Sequence, residues 1–485
     1  MKTLRTALQR IMLSLFILLI TLGIFLGTVG KLPHKSYLAA LLLAMLILAF
    51  GFVLRNRLTL FFERINKTKP VKPAVVLTLV CLFVNGLWVL YFRPEQAPDY
   101  RTFFQSALDL SNGIHPQLRD YLAMFPHILG YSAFLSLFLK LFGQSLITAA
   151  VLNVFLTTVS GLLIFCLCCR WKDTASATIA YAFWAICPSK MLYNTMSLSE
   201  PYYTFLLLLF FLIVLKAELA KRHALLLAAF GGISAGLILG LVNTARPIGI
   251  IPIIALAIWL LFLSDWEEEL CRNWKKWMLF FVLLLAAYSL TGRLWENYAE
   301  AQLEQKPASK PGYSIYVGFN SETQGSYSDK DMELLQSRYY GEYEHNADAA
   351  QKSMLEDAKI RIREETRQIP LLMLHKLGTL MGHDEGGAYY SKESLSGTAY
   401  SLLCMISNLW YYIIIVLAAL GCARLWKNRE SRSVLLAPLF SVGLILAQML
   451  VEVAARYHYS LIPLLLLMAS FSVNSGEKLT GAGRL

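Results

Sequence analysis

The sequence predicts an all-α, polytopic membrane protein with about twelve transmembrane helices. Hydrophobic residues make up 56% of the 485 residues and charged residues only 16%, whereas soluble proteins carry about 25% charge. The mean hydropathy is +0.52. Apolar runs of about twenty residues, the length that crosses a hydrocarbon core, recur along the chain. A water-soluble fold is therefore excluded.

The predicted spans group into four regions. Residues 1–72 hold two N-terminal helices and a basic loop, 73–292 a transmembrane core with a first outer loop at 93–144, 293–400 a large outer region, and 401–485 the C-terminal helices. The first span has basic residues before it and no small-residue cleavage site, which favours a retained anchor. The predicted spans are 11–29, 37–54, 73–92, 145–168, 174–192, 201–217, 223–243, 248–265, 276–292, 401–424, 433–454 and 457–474.

Short loops rich in Lys and Arg predict the orientation, because such loops stay on the cytoplasmic side. The loop after the second span carries six basic residues between positions 55 and 72, and the later basic loops fall on the same side if 125–143 does not cross. Both termini are then cytoplasmic, and segments 93–144 and 293–400 lie outside. The formal net charge of +12 needs no nucleic acid, since anionic lipid headgroups attract basic residues next to spans.

Two apolar segments are predicted to lie in the outer interface and not to cross the membrane. A crossing at 125–143 would put every later basic loop on the outer face. Pro370–Met381 is too short to span. Both segments are therefore interpreted as interfacial helices.

The outer region 293–400 is predicted to be small and α+β. Apolar residues alternate over 313–317, which predicts a short strand. Residues 333–367 are rich in charge and are predicted to form one helix that starts near Ser328. None of the eight cysteines falls in either outer segment, so no disulfide framework or zinc site is predicted there.

Asp99 is the first candidate for chemistry. It follows the third predicted span, at the head of the first outer loop, where a carboxylate can take the proton of an attacking hydroxyl at the water–lipid boundary. Glu95, Asp109 and Asp120 occupy the same loop. By position alone, Asp99 is therefore equally well interpreted as an ordinary solvated acid of this loop. Tyr100 follows Asp99 directly and is a candidate for substrate or metal contact.

Four more polar residues fall at predicted outer helix ends. Glu200, at the start of the sixth predicted span, is either a helix-capping acid or a contact to substrate or metal. Arg246 and Arg456 lie on the side where basic residues are expected to be scarce, and a planar guanidinium matches phosphate. For Arg456 the alternative is a salt bridge with Glu452 one helical turn back. Lys190 either contributes to phosphate binding or extends its ammonium to water.

Several short motifs occur in a fixed order along residues 73–474. They are Ala97-Pro-Asp-Tyr100, Tyr121–Tyr131, Ser199-Glu-Pro201, Thr244-Ala-Arg-Pro-Ile-Gly249, Gly312–Asn320, Ile369-Pro370 with His375-Lys376, and Arg456-Tyr-His-Tyr-Ser-Leu-Ile-Pro463. In order and sidedness the chain resembles the GT-C membrane glycosyltransferases that use polyprenyl-phosphate sugars. The nearest likeness is to the protein O-mannosyltransferase and aminoarabinose-transferase group.

The resemblance implies a GT-C architecture and a set of roles. Asp99 would be the general base for an acceptor hydroxyl, and Arg246, Arg456 and Lys190 would bind the lipid phosphate. The implied reaction moves a hexose, with mannose as one candidate, from a polyprenyl-phosphate donor to a glycan, protein or lipid acceptor. It takes place on the outer face of a bacterial plasma membrane, and a single displacement inverts the anomeric carbon.

Three features depart from the family pattern. Many members have a second acid directly beside the first, where this chain has Tyr100. Whether a divalent cation binds at this position therefore stays open. Aminoarabinose transferases place a Lys before the Pro of the interfacial helix, where Phe125 stands here. His127 or Arg119 is a candidate replacement, and His127 joins the possible contacts to substrate or metal. The two N-terminal spans (11–54) are additional to the usual core.

Other functions stay open from the sequence. A transporter or flippase of lipid-linked sugars would place ionisable residues at mid-span in paired, broken helices, whereas the polar residues here gather at outer helix ends. A polymerase or ligase of lipid-linked glycans would use a similar donor and a glycan-chain acceptor. A non-catalytic scaffold would require the outer acids to be dispensable.

Overall fold

A computed structural model describes residues 2–29, 35–220, 224–265, 273–428 and 432–473 of the chain. Within these ranges the regular structure is helical and contains no strand. The α-helices are α1 (Lys2–Val29), α2 (Lys35–Val53), α3 (Arg55–Asn66), α4 (Val71–Tyr91), α5 (Pro98–Ser111), α6 (Arg119–Met124), α7 (Pro126–Phe142), α8 (Leu146–Trp171), α9 (Thr174–Ala185), α10 (Pro188–Tyr193), α11 (Glu200–Leu219), α12 (Ala224–Ala245), α13 (Ile250–Ile258), α14 (Trp274–Leu303), α15 (Gly312–Gly318), α16 (Asp329–Ser337), α17 (Ala347–Glu364), α18 (Ile369–Met381), α19 (Gly386–Tyr389), α20 (Gly397–Asn428), α21 (Leu436–Gln448) and α22 (Leu461–Ser470).

Eight helices of the described ranges are long and apolar enough to cross a membrane. They coincide with eight of the predicted spans, and the chain is a multi-pass membrane protein. The eight are Thr3–Val29, Ser36–Val53, Val71–Tyr91, Leu146–Trp171, Glu200–Leu219, Ala224–Ala245, Trp274–Leu303 and Gly397–Asn428.

The other four predicted spans fall on shorter helices, so twelve crossings are not confirmed. The segment 174–192 is not one helix, because Cys187 is extended (φ −67°, ψ 114°) ahead of Pro188 and separates α9 from α10. In α22 all ten residues are buried. Its apolar sequence reflects enclosure by other helices, which composition alone does not distinguish from exposure to lipid.

The predicted strand at 313–317 is wrong. These residues form α15, in which Tyr313 and Val317, four positions apart, are both buried. The helix packs so closely on α17 that a Cβ at Gly312 would clash with the carbonyl oxygen of Gln351. Over only five residues, alternate apolar positions include an i, i+4 pair and so fit a helical face equally well. The described outer region therefore contains helices and turns in place of an α+β unit.

The predicted helix over 333–367 is correct in type but not in continuity. It begins as expected at Ser328, whose hydroxyl accepts a hydrogen bond from the N–H of Asp331 at 3.2 Å. Glu344 and His345 then adopt left-handed conformations, with φ of 44° and 68°. This turn separates α16 from α17.

The two segments predicted to be interfacial form α7 and α18, which are both apolar and shorter than the eight long helices. Their placement in the interface stays a prediction. α7 crosses the end of α12 at Gly130, where a side chain would clash with the carbonyl group of Thr244. α18 meets α1 where the backbone of Gly382 touches that of Gly27.

A buried lysine joins the outer region to the segment before the last helix. Lys376 of α18 has no solvent exposure. Its ammonium group donates to the carbonyl oxygens of Gly318, Met449 and Val451 at 2.6–2.8 Å. The three donors of the ammonium are thus satisfied, and α15 and α18 are tied to the chain after α21.

The next residues continue this attachment. The N–H of Glu452 donates to the carbonyl oxygen of Ser314 at 2.7 Å, and that of Val453 donates to the carbonyl oxygen of Gly325 at 2.9 Å. A 3₁₀ turn, Ala455–His458, follows and leads into α22. The outer region therefore sets the position of this turn.

Candidate functional site

Asp99 lies in the first turn of α5, directly after Pro98. Proline suits the first helical position, and the helix dipole favours an acid in this turn. The Asp99 side chain is 49% exposed. Its Oδ2 accepts a hydrogen bond from Nη2 of Arg456 at 2.6 Å, across 357 positions of sequence. The fold thus joins the first predicted acid to a predicted cation.

Arg456 extends from the 3₁₀ turn into a group of tyrosines. Its guanidinium carbon lies 5.4–5.7 Å from the ring centroids of Tyr100, Tyr390 and Tyr457, within reach of cation–π attraction. The side chain is only 12% exposed. Nε and Nη1 are buried and have no hydrogen-bond acceptor. Such donors cost free energy when unsatisfied, so this edge of the guanidinium suits an anion.

The alternative salt bridge between Arg456 and Glu452 is not formed. Residues 451–454 are not helical, so a spacing of four residues does not place the two side chains on one face. Oε1 of Glu452 instead accepts a hydrogen bond from the Tyr457 hydroxyl at 3.3 Å. Burial raises the pKa of Glu452. Glu452 is a second acid beside the cluster that the sequence did not single out as a site residue.

Glu200 and Arg246 form a second acid–arginine pair. Glu200 is the first residue of α11, and Arg246 directly follows α12. Oε1 of Glu200 and Nη2 of Arg246 lie 3.6 Å apart, with side chains that are 3% and 15% exposed. The guanidinium carbon of Arg246 also lies 4.3 Å from the ring centroid of Tyr457. Because Tyr457 contacts both arginines, the two pairs form one cluster.

Lys190 is buried in α10. It has no solvent exposure, so its ammonium does not extend to water. Nζ lies 3.6 Å from the ring centroid of Tyr459 and has no hydrogen-bond acceptor. A buried ammonium without an acceptor is unfavourable on its own, which fits a role in holding an anion.

His127, the second residue of α7, lies within electrostatic reach of both arginines. Burial, together with the charges of Arg246 and Arg456, lowers its pKa to about 3, against the opposing effect of Asp99. The ring is therefore neutral at pH 7 and offers a hydrogen bond in place of a positive charge. Arg119 is bonded to Glu304. Arg119 is therefore neutralised by its partner, and His127 carries no charge at pH 7.

A buried hydrogen-bonded group that the sequence interpretation missed lies near Lys190. Oδ1 of Asp384 accepts a hydrogen bond from the Ser189 hydroxyl at 2.8 Å and faces Nε2 of His458 at 3.1 Å. Burial opposes the charge of Asp384, but Lys190 and His458 hold the pKa of its carboxyl below the usual value. The available signal was the run 383–385, three titratable residues between glycines directly after an apolar helix.

The sequence does not decide whether a metal ion binds beside Asp99. Within the described ranges, no group of three or more His, Cys, Asp or Glu side chains is arranged to hold a metal ion. The cation in contact with Asp99 is the guanidinium of Arg456. We therefore assign no metal ligand.

Comparison with known proteins finds distant structural similarity. No protein-family model and no curated protein matches the chain. The archaeal oligosaccharyltransferase AglB from Archaeoglobus fulgidus, solved with an inhibitory peptide and a dolichol-phosphate, has a TM-score of 0.43 and 12% identity, over 83% of this chain and 50% of AglB. ArnT from Cupriavidus metallidurans, bound to undecaprenyl phosphate, has a TM-score of 0.35 and 11% identity, over 82% of this chain and 77% of ArnT. The chain thus spans about half the length of AglB.

The cluster combines a half-exposed acid with enclosed cations. An anionic group beside Arg246 and Arg456 would satisfy donors of both guanidinium groups that now have no acceptor. The carboxylate of Asp99 remains accessible to a second molecule that carries a hydroxyl. The arrangement is therefore suited to bind an anion and to accept a proton next to it.

Proposed function

We propose that this protein is a GT-C-type membrane glycosyltransferase that moves a hexose, with mannose as one candidate, from a polyprenyl-phosphate donor to an acceptor hydroxyl. The reaction takes place on the outer face of a bacterial plasma membrane, and both termini are cytoplasmic. One observation carries the proposal: the half-exposed carboxylate of Asp99 is held by Arg456, an enclosed guanidinium with two donor atoms that lack acceptors.

The donor phosphate binds among Arg456, Arg246 and Lys190. Guanidinium groups form charge-assisted, planar hydrogen bonds to phosphate oxygens. The buried donors of Arg456 and Lys190 that lack acceptors are satisfied by those oxygens. As the bond between the anomeric carbon and the phosphate oxygen breaks, its electron pair stays on the phosphate. The cations stabilise this developing charge.

Asp99 is the general base. The acceptor oxygen forms a bond to the anomeric carbon while its proton passes to a carboxylate oxygen of Asp99. Attack on the face opposite the departing phosphate inverts the anomeric carbon. The phosphate contacts Nε and Nη1 of Arg456, whereas Asp99 contacts Nη2, so one guanidinium holds both anions.

The positions of the ionisable residues favour an enzyme over a transporter. Glu200 begins α11, Arg246 follows α12, and Arg456 precedes α22. Transport pathways instead place such residues near the middle of the membrane. A polymerase or ligase of lipid-linked glycans differs from the proposed enzyme in its acceptor and is separated from it by the choice of acceptor in the assay.

The test is release of polyprenyl phosphate. Full-length protein in lipid nanodiscs is incubated with radiolabelled polyprenyl-phosphate hexose and with glycan, peptide or lipid acceptors in separate reactions. We expect acceptor-dependent release that is lost in Asp99→Asn. Movement of intact donor across proteoliposomes without cleavage would contradict the proposal and favour a flippase.

A further inference from the structure

One carboxylate oxygen connects the two turns that carry proposed phosphate-binding cations. Ser189 precedes Lys190 in α10, and His458 ends the 3₁₀ turn that carries Arg456. Oδ1 of Asp384 accepts the Ser189 hydroxyl at 2.8 Å and meets Nε2 of His458 at 3.1 Å. These contacts connect Asp384 to both segments that carry the cations.

The contact to His458 is one of two made by its ring. Nδ1 of the ring faces the carbonyl oxygen of Leu380 at 2.7 Å, and Nε2 faces the carboxylate of Asp384. Both partners accept hydrogen bonds and neither donates one. Both ring nitrogens are thus occupied by contacts within the protein. His458 and Asp384 are 1% and 3% exposed, and a buried carboxylate is costly to leave without its hydrogen-bond partner.

The backbone around Asp384 is also fixed. Its N–H donates to Oδ1 of Asn408 in α20 at 2.9 Å. In the following turn, a Cβ at Gly386 would clash with the Tyr193 hydroxyl, and one at Gly387 would lie 2.9 Å from the carbonyl oxygen of Ser189. The loop is thus packed directly against α10, and the carboxylate has little freedom to follow a displaced partner.

We infer that Asp384 is a positioning residue that sets the separation of Lys190 and Arg456. The inference rests on the proposed role of these two cations in binding the donor phosphate. It gives Asp384 no contact with substrate. The carboxylate holds α10 through Ser189 and the 3₁₀ turn through His458. Loss of its charge therefore loosens both segments, whereas removal of one partner side chain loosens only the segment that carries that side chain.

Amide hydrogen exchange, measured by mass spectrometry on full-length protein in nanodiscs, tests this directly. Asp384→Asn is expected to exchange faster over both 188–193 and 455–458. Ser189→Ala is expected to affect only the first segment and His458→Gln only the second. Ser189→Ala and His458→Gln also test the inference if Asp384→Asn does not fold.

Asp331→Asn is the matched control. Asp331 is similarly buried, at 5% exposure, and is paired with Arg361 at 3.2 Å. Its other hydrogen-bond partners are Asn320 and Ser328, so none of its partners lies in 188–193 or 455–458. The exchange of 188–193 and 455–458 is expected to stay at the wild-type rate in this variant. Unchanged exchange of both segments in Asp384→Asn, or equal acceleration of both in Asp331→Asn, would overturn the inference.

The affinity for undecaprenyl phosphate, used as the probe, connects the two turns to the site. In metal sites, groups that orient a ligand without touching the metal typically change affinity by about 10- to 100-fold, and we expect a loss of the same order in Asp384→Asn. Asp331→Asn should bind like the wild type, and Arg456→Gln should bind weakly because a direct contact is lost. Wild-type affinity in Asp384→Asn would reduce Asp384 to a purely structural residue and overturn the inference.

The two proposals fail in different ways. If the wild type does not bind undecaprenyl phosphate, or if Arg456→Gln binds it equally well, the proposed function fails. The exchange of 188–193 and 455–458 still decides in that case whether Asp384 holds the two turns together.

Discussion

Asp99→Asn should remove most transfer activity while leaving the protein folded. Asp99 is half exposed, and ion pairs of exposed groups contribute about 0.2–1 kcal/mol to stability. Arg456 keeps its contacts to three tyrosine rings in the variant. The free energy of unfolding should therefore fall by about 1 kcal/mol. A positioned general base typically contributes about 10²- to 10⁴-fold to the rate, and the rate of transfer should fall by that factor.

The assay follows released polyprenyl phosphate from a labelled donor, with thermal unfolding measured on the same preparation. Glu95→Gln is the matched control, because Glu95 lies in the same loop and pairs with Arg101 at 3.0 Å, with side chains that are 73% and 64% exposed. We expect this variant to keep wild-type activity. An Asp99→Asn enzyme within about threefold of the wild-type rate would refute the assignment of Asp99 as base.

The same variant also has an expected effect on binding. Asn carries no charge, so the repulsion between the carboxylate of Asp99 and a bound phosphate is removed. Undecaprenyl phosphate should therefore bind Asp99→Asn at least as tightly as the wild type, although turnover is lost. Weaker binding would contradict this prediction and show that Asp99 supports the phosphate site by orienting Arg456.

The remaining predictions concern the buried charges. Arg246→Gln leaves Glu200 buried without its partner, so the free energy of unfolding should fall by about 3–5 kcal/mol; the double variant with Glu200→Gln should recover much of this loss in thermal unfolding but no activity. Lys376→Met leaves three carbonyl oxygens without a donor, at a cost of about 1–3 kcal/mol each, and should lower the unfolding midpoint with no direct change at Asp99. Burial raises the pKa of Glu452 above the ordinary 4.5, so above pH 4.5 the folded protein holds a proton that the unfolded chain releases. The free energy of unfolding therefore falls as the pH rises through this range. This part of the pH dependence should vanish in Glu452→Gln.

The transmembrane helices were predictable where apolar length coincides with exposure to lipid. Val71–Tyr91 is such a case, since few of its residues are buried in the protein. α22 is equally apolar for a different reason, because it is enclosed by other helices. Hydrophobicity measures removal from water and does not report whether lipid or protein takes the place of water. For this reason the spans predicted at the enclosed helices are not confirmed.

The candidate site residues stand out in the sequence by their unusual positions, but their pairing does not. Glu200, Arg246 and Arg456 are charges at helix ends in a chain with little charge, which is enough to single them out. Local spacing suggested Glu452 as the partner of Arg456, whereas the structure pairs Arg456 with Asp99. Pairing depends on how helices distant in sequence pack, and neither periodicity nor spacing encodes that. Asp384 was missed for the same reason, since its partners at positions 189 and 458 are far apart in the chain.

The distance in sequence between Asp99 and Arg456 has a consequence for biosynthesis. Asp99 is synthesised early and Arg456 357 residues later, after all eight of the described helices that are long enough to cross a membrane. A nascent chain that stops before residue 456 holds Asp99 and the Glu200–Arg246 pair but lacks Arg456, which contacts Asp99, and Tyr457, which contacts both arginines. Such a chain lacks a residue on which the proposed reaction depends. Under the proposed function, an incomplete chain would therefore not consume lipid-linked sugar.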